Sequence, residues 1–331
     1  MSGSVLDDDQ LGEVVGRHLG TSARVEGIRR LSGGASRETW SFDAVTDDGE
    51  RRALVLRRDP GGHSGQSERG VEYAVLEAAG RGGVAVPEVC FLLDSDDGLG
   101  SGFVMERVEG ETIPRRILRD EEYTGARERM ARQCGELAAR IHALDPAGLP
   151  ALPVQTGADQ VDQYRDLIDG LGEPHPPFEL ALRWLDDHAP PERSGTTLVH
   201  GDFRNGNFIV GPDGIRAVLD WELAHLGNPV EDLGWLCVMS WRFGVADRPV
   251  GGFGTVDDLL AGYRDAGGGA VDPDELRYWE ALGTLKWGVI CQMQASTHLT
   301  GMVRSVELAA LGRRVAETEW DLLELIGSGK A

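Results

Sequence analysis

Lysine is almost missing from this sequence: it occurs only at Lys286 and Lys330. Arginine therefore supplies 31 of the 33 basic residues, and any cation that a function needs before position 286 has to be an arginine. Cysteine is also scarce, and the four cysteines, at positions 90, 134, 237 and 291, form no CxxC pair and no cluster with histidine. That spacing argues against a disulfide framework and against a zinc site.

Long hydrophobic runs are missing too, since none approaches the ~18 residues of a membrane span, and we expect no membrane partner. The first twenty residues are acidic where a signal peptide would be basic and then apolar, which predicts a cytoplasmic protein. The net charge of −22 argues against a nucleic-acid partner, because such binding neutralises phosphates. It would suit a cationic substrate, although acidic residues spread along the whole chain also describe an ordinary solvated surface.

The 331 residues suffice for about two domains, and the pattern changes from strand-rich to helical near Gly110. Before that point, a short helix and three β-favouring segments precede a second helix and two more strands. These elements are predicted at 7–18, Val25–Leu31, Glu38–Val45, Arg52–Arg57, Gln66–Ala79, Val89–Leu93 and Gly102–Val108. We therefore expect an α+β chain with an antiparallel N-terminal sheet, divided into residues 1–108 and 109–331.

Polar residues between two apolar segments form the strongest motif. Asp202 is followed five positions later by Asn207, and Asp220 ends the apolar pair Val218–Leu219. Phosphoryl transfer needs a carboxylate for the attacking hydroxyl and oxygen ligands for magnesium, and the kinase catalytic loop has this Asp–Asn spacing. Asp and Asn in a Gly-rich stretch also form turns. The flanking apolar segments 198–199 and 208–210 favour the kinase interpretation.

The segment Leu198–Asp202, with Asn207, resembles the catalytic loop of the aminoglycoside phosphotransferase superfamily. Asp220-Trp221-Glu222 resembles that family's counterpart of the kinase DFG segment. Leu223–Leu236 is especially similar to a subgroup related to the kinase-like domains fused to acyl-CoA dehydrogenases. The resemblance implies a protein-kinase-like two-lobe fold. It also implies transfer of the γ-phosphate of ATP or GTP, with Mg²⁺, to a hydroxyl of a small-molecule acceptor.

The resemblance further implies roles for individual residues. Asp202 would be the catalytic base, and Asn207 and Asp220 would hold magnesium. In the N-terminal, nucleotide-binding lobe, Ser32, Gly33 and Gly34 would form a phosphate-covering loop. Arg57 would be a basic residue with Glu72 as its acidic partner, and Glu106 and Val108 would belong to an adenine-binding hinge. A Gly-Gly hairpin turn would look the same as the loop, Arg57 stands where relatives have lysine, and Glu68 is an alternative to Glu72.

In the C-terminal, catalytic and acceptor-binding lobe, His200, Glu222 and Asp232 would support the catalytic residues. Lys286 and Trp287 are candidates for the acceptor pocket, although a snorkelling lysine and a core tryptophan fit the pattern as well. An alternative function is a catalytically weak nucleotide-binding or scaffold protein on the same fold. The acceptor and the nucleotide base are not determined by the sequence, and a homodimer is left open.

Overall fold

The computed structural model describes residues 6–33, 38–59, 68–191 and 195–327, apart from the side chains of Ser32 and Glu68. The chain divides into two compact units. The first comprises Met1–Gly110, Gly148–Ala151 and Arg216–Glu222, and the second comprises Glu111–Ala147, Leu152–Ile215 and Leu223–Ala331. Within the described ranges, no helix combines the length and the hydrophobicity that a membrane crossing requires.

The first unit contains a five-stranded antiparallel sheet with the strand order β1-β2-β3-β5-β4. Its strands and helices are α1 (Asp8–Leu19), β1 (Ala23–Gly33), β2 (Glu38–Thr46), β3 (Arg51–Asp59), α2 (Glu68–Arg81), β4 (Val89–Leu92) and β5 (Ser101–Glu106). Helix α1 begins where Asp7 accepts a hydrogen bond from the N–H of Gln10, and it ends at Gly20, which has a φ of 73°.

Alternation along the strands decides which residues form the core of this unit. On β3, Leu54 and Leu56 are completely buried, and they join Phe42 of β2 and Leu11 of α1 in one hydrophobic cluster. Because side chains alternate between the faces of a strand, Arg57 must leave the sheet on the opposite face. The sheet thus places Arg57 on the face opposite the cluster that contains Leu54 and Leu56.

The rest of the chain is mainly helical. Its helices are α3 (Pro114–Arg119), α4 (Thr124–His142), α5 (Gly157–Leu171), α6 (Pro176–Asp187), α7 (Val230–Cys237), α8 (Val256–Asp265), α9 (Pro273–Leu299), α10 (Val306–Leu311) and α11 (Val315–Gly327). Its short strands are β6 (Thr197–Val199), β7 (Phe208–Gly211), β8 (Gly214–Val218) and β9 (His225–Gly227), and β6 pairs with β9. Helix α9 packs against α7, α10 and α11, and α4 packs against α8. The predicted fold class, an antiparallel N-terminal sheet followed by a mainly helical remainder, is confirmed.

Candidate active site

Arg57 lies in a cluster of ion pairs within the first unit. One of its guanidinium nitrogens is 3.0 Å from Glu72 Oε1, and the other donates to Asp220 Oδ1 at 2.9 Å. The neighbouring Arg58 projects to the other face, where it forms a buried ion pair with Glu38 at 2.9 Å. The strand register therefore selects Arg57, not Arg58, as the cation beside the two carboxylates.

Glu72 holds this cluster from helix α2. Its side chain is 1% exposed and contacts Arg69 of the same helix as well as Arg57. Burial raises the pKa of the Glu72 carboxyl above its usual value, although the charges of Arg57 and Arg69 oppose that shift. Arg69 also lies 3.9 Å from Glu222 Oε2 and pairs with Asp59 at 3.2 Å. Four carboxylates, those of Asp59, Glu72, Asp220 and Glu222, therefore lie around the two arginines Arg57 and Arg69.

Asp220 has an unusual backbone conformation. Its φ is 68°, in the left-handed region that costs most residues about 1 kcal/mol or more and that Asp tolerates better than most. Asp220 follows the end of β8, and its side chain is 34% exposed. The backbone thus directs a partly accessible carboxylate towards the guanidinium of Arg57.

The predicted loop and hinge residues lie at the ends of strands in the first unit. Ser32 and Gly33 end β1, where they pair with β2, and Gly34 lies outside the described residues. Glu106 ends β5, and its carboxylate contacts an arginine of β3. Val108 follows the sheet, and no hydrogen bond joins its backbone to another described residue. The backbone N–H groups of Glu106 and Arg107 donate to Glu88 and Ala53, so Val108 is the residue of this segment whose backbone groups are available.

In the second unit, the 200–207 loop follows strand β6 and begins with a tight turn at Gly201. The φ of Gly201 is 79°, and a Cβ at this position would lie 2.4 Å from the carbonyl oxygen of Leu223. A side chain would therefore be strained by both the backbone conformation and the contact. Glycine is required here to bring the loop against the backbone at Leu223.

The side chains of Asp202 and Asn207 are hydrogen-bonded to each other within this loop. Asn207 Nδ2 donates to Asp202 Oδ2 at 2.6 Å and to the Asp202 carbonyl oxygen at 2.9 Å. Asn207 Oδ1 accepts no hydrogen bond from any residue that the structure describes. A free amide oxygen beside a carboxylate is the donor chemistry that a hard cation such as Mg²⁺ prefers.

Helix α7 braces the loop through Asp232, which is completely buried. Its carboxylate accepts the backbone N–H groups of His200 at 2.8 Å and Gly201 at 3.0 Å. Burial alone would raise the pKa of Asp232, but the hydrogen bond and charge of His142 and the charge of His200 hold it below its usual value. His200 in turn accepts the N–H of Asp202 on Nδ1 at 3.1 Å, so its ring supports the loop.

Two further residues that contact Asp202 were not predicted from the sequence. Trp235 Nε1 and Arg204 Nε each donate to Asp202 Oδ1 at 2.8 Å. The Arg204 guanidinium also lies over the ring of Trp241, with Cζ 4.5 Å from the ring centroid. The sequence does contain one indication for Trp235: it follows Asp232 by three positions on α7, so both side chains lie on the same face of the helix. Arg204 was detectable only as the cation nearest to Asp202 in the sequence.

Lys286 and Trp287, the predicted acceptor residues, lie on α9. The Lys286 ammonium donates to the carbonyl oxygen of Gly201 at 3.0 Å and lies 4.7 Å from the centroid of the Trp235 ring. Burial alone would lower the pKa of Lys286, but the acidic side chains around it, of which Tyr164 contributes most, raise it above its usual value. Trp287 packs its ring 4.8 Å from that of another tryptophan. Lys286 is thus a charged partner of the 200–207 loop.

Comparison with known proteins shows similarity along most of the chain. Mouse acyl-CoA dehydrogenase family member 10 is 28% identical over 298 residues, which cover 82% of this chain and 27% of that relative. The chain therefore spans about a quarter of the relative's length.

Solved structures share the fold. A Ralstonia eutropha protein assigned to the aminoglycoside phosphotransferases superposes with a TM-score of 0.76 at 23% identity, covering 98% of this chain and 99% of that one. A spectinomycin phosphotransferase, solved with ADP and spectinomycin, gives a TM-score of 0.68 at 12% identity, covering 96% and 98% of the two chains. The model of the phosphotransferase enzyme family matches residues 27–279. The resemblance predicted from the 198–236 segment is confirmed, and the chain belongs to the phosphotransferase enzyme family.

Proposed function

We propose that the protein is a magnesium-dependent kinase that transfers the γ-phosphate of ATP or GTP to a hydroxyl of a small-molecule acceptor. The observation that carries this proposal is the bonded pair of Asp202 and Asn207, in which Asp202 presents a carboxylate and Asn207 keeps its amide oxygen free. A carboxylate in this position would take the proton of the attacking hydroxyl as general base. The sequence-predicted roles of both residues are consistent with this arrangement.

The first unit supplies groups suited to a nucleotide. Arg57, which Glu72 holds in place, is a cation that would steady phosphate oxygens. Asp220 of this unit and Asn207 of the second unit each offer an oxygen ligand of the kind that Mg²⁺ takes, and the ion would neutralise charge on the phosphates when bound. Backbone groups near Val108 would read the base edge, with Ser32 to Gly34 over the phosphates. The ADP bound to the spectinomycin phosphotransferase supports a nucleotide co-substrate.

For the acceptor, we favour a metabolic hydroxyl compound, such as a hydroxyacyl thioester, over an aminoglycoside. The name of the mouse relative associates this kind of chain with acyl-CoA chemistry. Helix α3 carries Arg115 and Arg119, both exposed, and neither has a carboxylate partner among the residues that the structure describes. Two such cations four residues apart would suit an anionic group. Acceptor binding by Lys286 and Trp287 remains a prediction.

The test measures turnover of Mg-ATP with a panel of hydroxylated acceptors: kanamycin, choline and a hydroxyacyl-CoA. Asp202→Asn should lower turnover by about two orders of magnitude or more with nearly unchanged affinity for ATP, because binding does not require the base. The control is Asp247→Asn, an exposed carboxylate in the same unit. Wild-type turnover in Asp202→Asn would contradict the assignment. ATP binding without turnover by the wild-type protein would instead indicate the nucleotide-binding scaffold.

A further inference from the structure

The two oxygens of the Asp202 carboxylate are in different environments. Oδ1 accepts two hydrogen bonds, from Trp235 Nε1 and Arg204 Nε, each at 2.8 Å. Oδ2 accepts one, from Asn207 Nδ2 at 2.6 Å. Each carboxylate oxygen offers about two lone-pair positions, so Oδ1 is saturated and Oδ2 keeps one position open.

We propose that Oδ2 is the atom that receives the acceptor's proton and that Trp235 is a positioning residue, which fixes this choice by occupying Oδ1. The inference rests on the proposed kinase function. In the step, the acceptor oxygen forms a bond to the γ-phosphorus while the bond from that phosphorus to the β–γ bridging oxygen breaks. The bridging oxygen keeps the electron pair, and the acceptor's O–H proton passes to Oδ2.

Packing holds the indole of Trp235 in one orientation. The side chain is 3% exposed, and its ring meets that of Trp241 edge to face at 5.0 Å. Lys286 lies over the ring, with Nζ 4.7 Å from the centroid, while its hydrogen bond holds the 200–207 loop. On α9, Gly283 leaves room for the indole, since a Cβ there would lie 2.9 Å from Trp235 Cε3. This packing holds the indole with its N–H directed at Asp202 Oδ1.

A substitution at Trp235 tests the positioning role without removing a charge, whereas a substitution at Arg204 does not. Arg204 is 24% exposed and carries a charge, so its removal would alter both the geometry and the local field. Trp235→Phe keeps an aromatic ring under Lys286 and removes the single N–H that contacts Asp202. Trp279→Phe is the matched control: Trp279 is equally buried, lies on the packed α9, and its Nε1 has no partner in the described part of the chain.

The experiment compares kcat and KM of both variants on Mg-ATP and the best acceptor of the panel. Trp235→Phe should lower kcat by roughly 10- to 100-fold with both KM values within about twofold of wild type, because a freed carboxylate spends less time in the reactive orientation. In the Asp202→Asn background the same substitution should have no further effect. A wild-type kcat, an equal loss in Trp279→Phe, or an undiminished loss in the Asp202→Asn background would each overturn the proposal.

A second measurement keeps the inference separate from the proposed function. In ¹H–¹⁵N spectra, Asp202→Asn should move the indole cross-peak of Trp235 and leave that of Trp279 in place, because of these two indoles Trp235 donates to the Asp202 carboxylate and Trp279 does not. An unmoved Trp235 cross-peak would overturn the positioning role whatever the turnover. If no acceptor of the panel is phosphorylated while the cross-peak moves, the kinase proposal fails, and with it the assignment of Oδ2 as the proton acceptor.

Discussion

At the scale of single residues, Arg57 shows how an arginine serves as the cation in a unit where the described residues include no lysine. Its planar guanidinium reaches Glu72 and Asp220 with two different nitrogens, at 3.0 and 2.9 Å. A lysine ammonium is a single point charge on a flexible stem and would satisfy that fork less well. The arginine therefore connects the proposed metal ligand to the helix carboxylate within one side chain.

The first prediction at this scale concerns Asp220. If its carboxylate binds magnesium, Asp220→Ala should abolish the extra thermal stabilisation that Mg-ATP gives over magnesium-free ATP, since the ion loses its main anionic ligand. Differential scanning fluorimetry with ATP, with and without Mg²⁺, measures the increment. Asp47→Ala, an exposed carboxylate in the same unit, is the control. A magnesium increment that survives in Asp220→Ala would show that the ligand set is wrong.

At the scale of elements, the contact between α7 and α9 sets the position of Trp235. Gly283→Ala would place a Cβ 2.9 Å from Trp235 Cε3 and 3.0 Å from Val238 Cγ2. We expect the free energy of unfolding to fall by about 1–3 kcal/mol through overpacking, and turnover to fall with it as the indole moves. Urea denaturation and the kinase assay measure the two effects.

Gly170→Ala is the control for this substitution. Gly170 lies inside helix α5, is exposed, and a Cβ built there meets nothing within 4 Å. Alanine should stabilise that helix by about 0.5–1 kcal/mol, as it does at unconstrained helical positions. If Gly283→Ala stabilised the protein as well, position 283 of α9 would have room for a Cβ, and the contact with Trp235 would not require glycine there.

A second element-scale prediction concerns pH, through Glu280 of α9. Burial raises the pKa of Glu280 from 4.5 to about 7, against the opposing charge of Arg242, which donates to it at 2.8 Å. Because the folded state holds this proton more tightly than the unfolded state, the residue's contribution to stability falls as pH rises from about 4.5 to about 7. The shift corresponds to about 3 kcal/mol.

The pH effect is measured as a difference between two proteins. Unfolding free energies of wild type and Glu280→Gln at pH 5, 6, 7 and 8 should diverge, with the variant gaining relative to wild type as pH rises, because glutamine has no proton to lose. Asp321, whose pKa burial raises to about 6, titrates nearby, and its charge also raises the pKa of Glu280, so the divergence reports on the two carboxyls together. If the unfolding free energies of the two proteins changed with pH in parallel, the raised pKa of Glu280 would be contradicted.

Elements with strong local patterns were predictable, and those that depend on distant partners were not. Strands β2 and β3 follow from their β-favouring residues between turns, and the end of α1 follows from Gly20. Helix α5 was missed because its buried face includes the polar Gln160, although the capping box of Thr156 and Asp159 marks its start. At the site, local spacing was enough to place Asp202 beside Asn207. The hydrogen bond from Trp235 joins residues 33 positions apart, and its one local sign is that Trp235 shares a face of α7 with Asp232.

At the scale of the whole molecule, the net charge of −22 bears on how substrates arrive. Long-range attraction would favour a cationic aminoglycoside and oppose a polyanion such as a coenzyme A thioester. At physiological salt, however, the screening length is about 8 Å, so a few nearby cations outweigh a distant acidic surface. Arg115 and Arg119 of α3 are such cations, and their helix begins beside the 200–207 loop, where Pro114 Cγ would lie 3.6 Å from a Cβ at Gly206.

The last prediction is that the enzyme phosphorylates a hydroxyacyl-CoA with a higher kcat/KM than kanamycin. Steady-state turnover of the two acceptors, each at low and at physiological salt, measures this preference. Added salt should lower KM for the thioester by screening the acidic surface, while the Arg115→Ala/Arg119→Ala double variant should raise it. Arg248→Ala, an exposed arginine on the same unit, serves as the control. Efficient turnover of kanamycin alone, with kcat/KM above roughly 10⁴ M⁻¹s⁻¹, would instead identify an antibiotic kinase whose acidic surface gathers cationic acceptors.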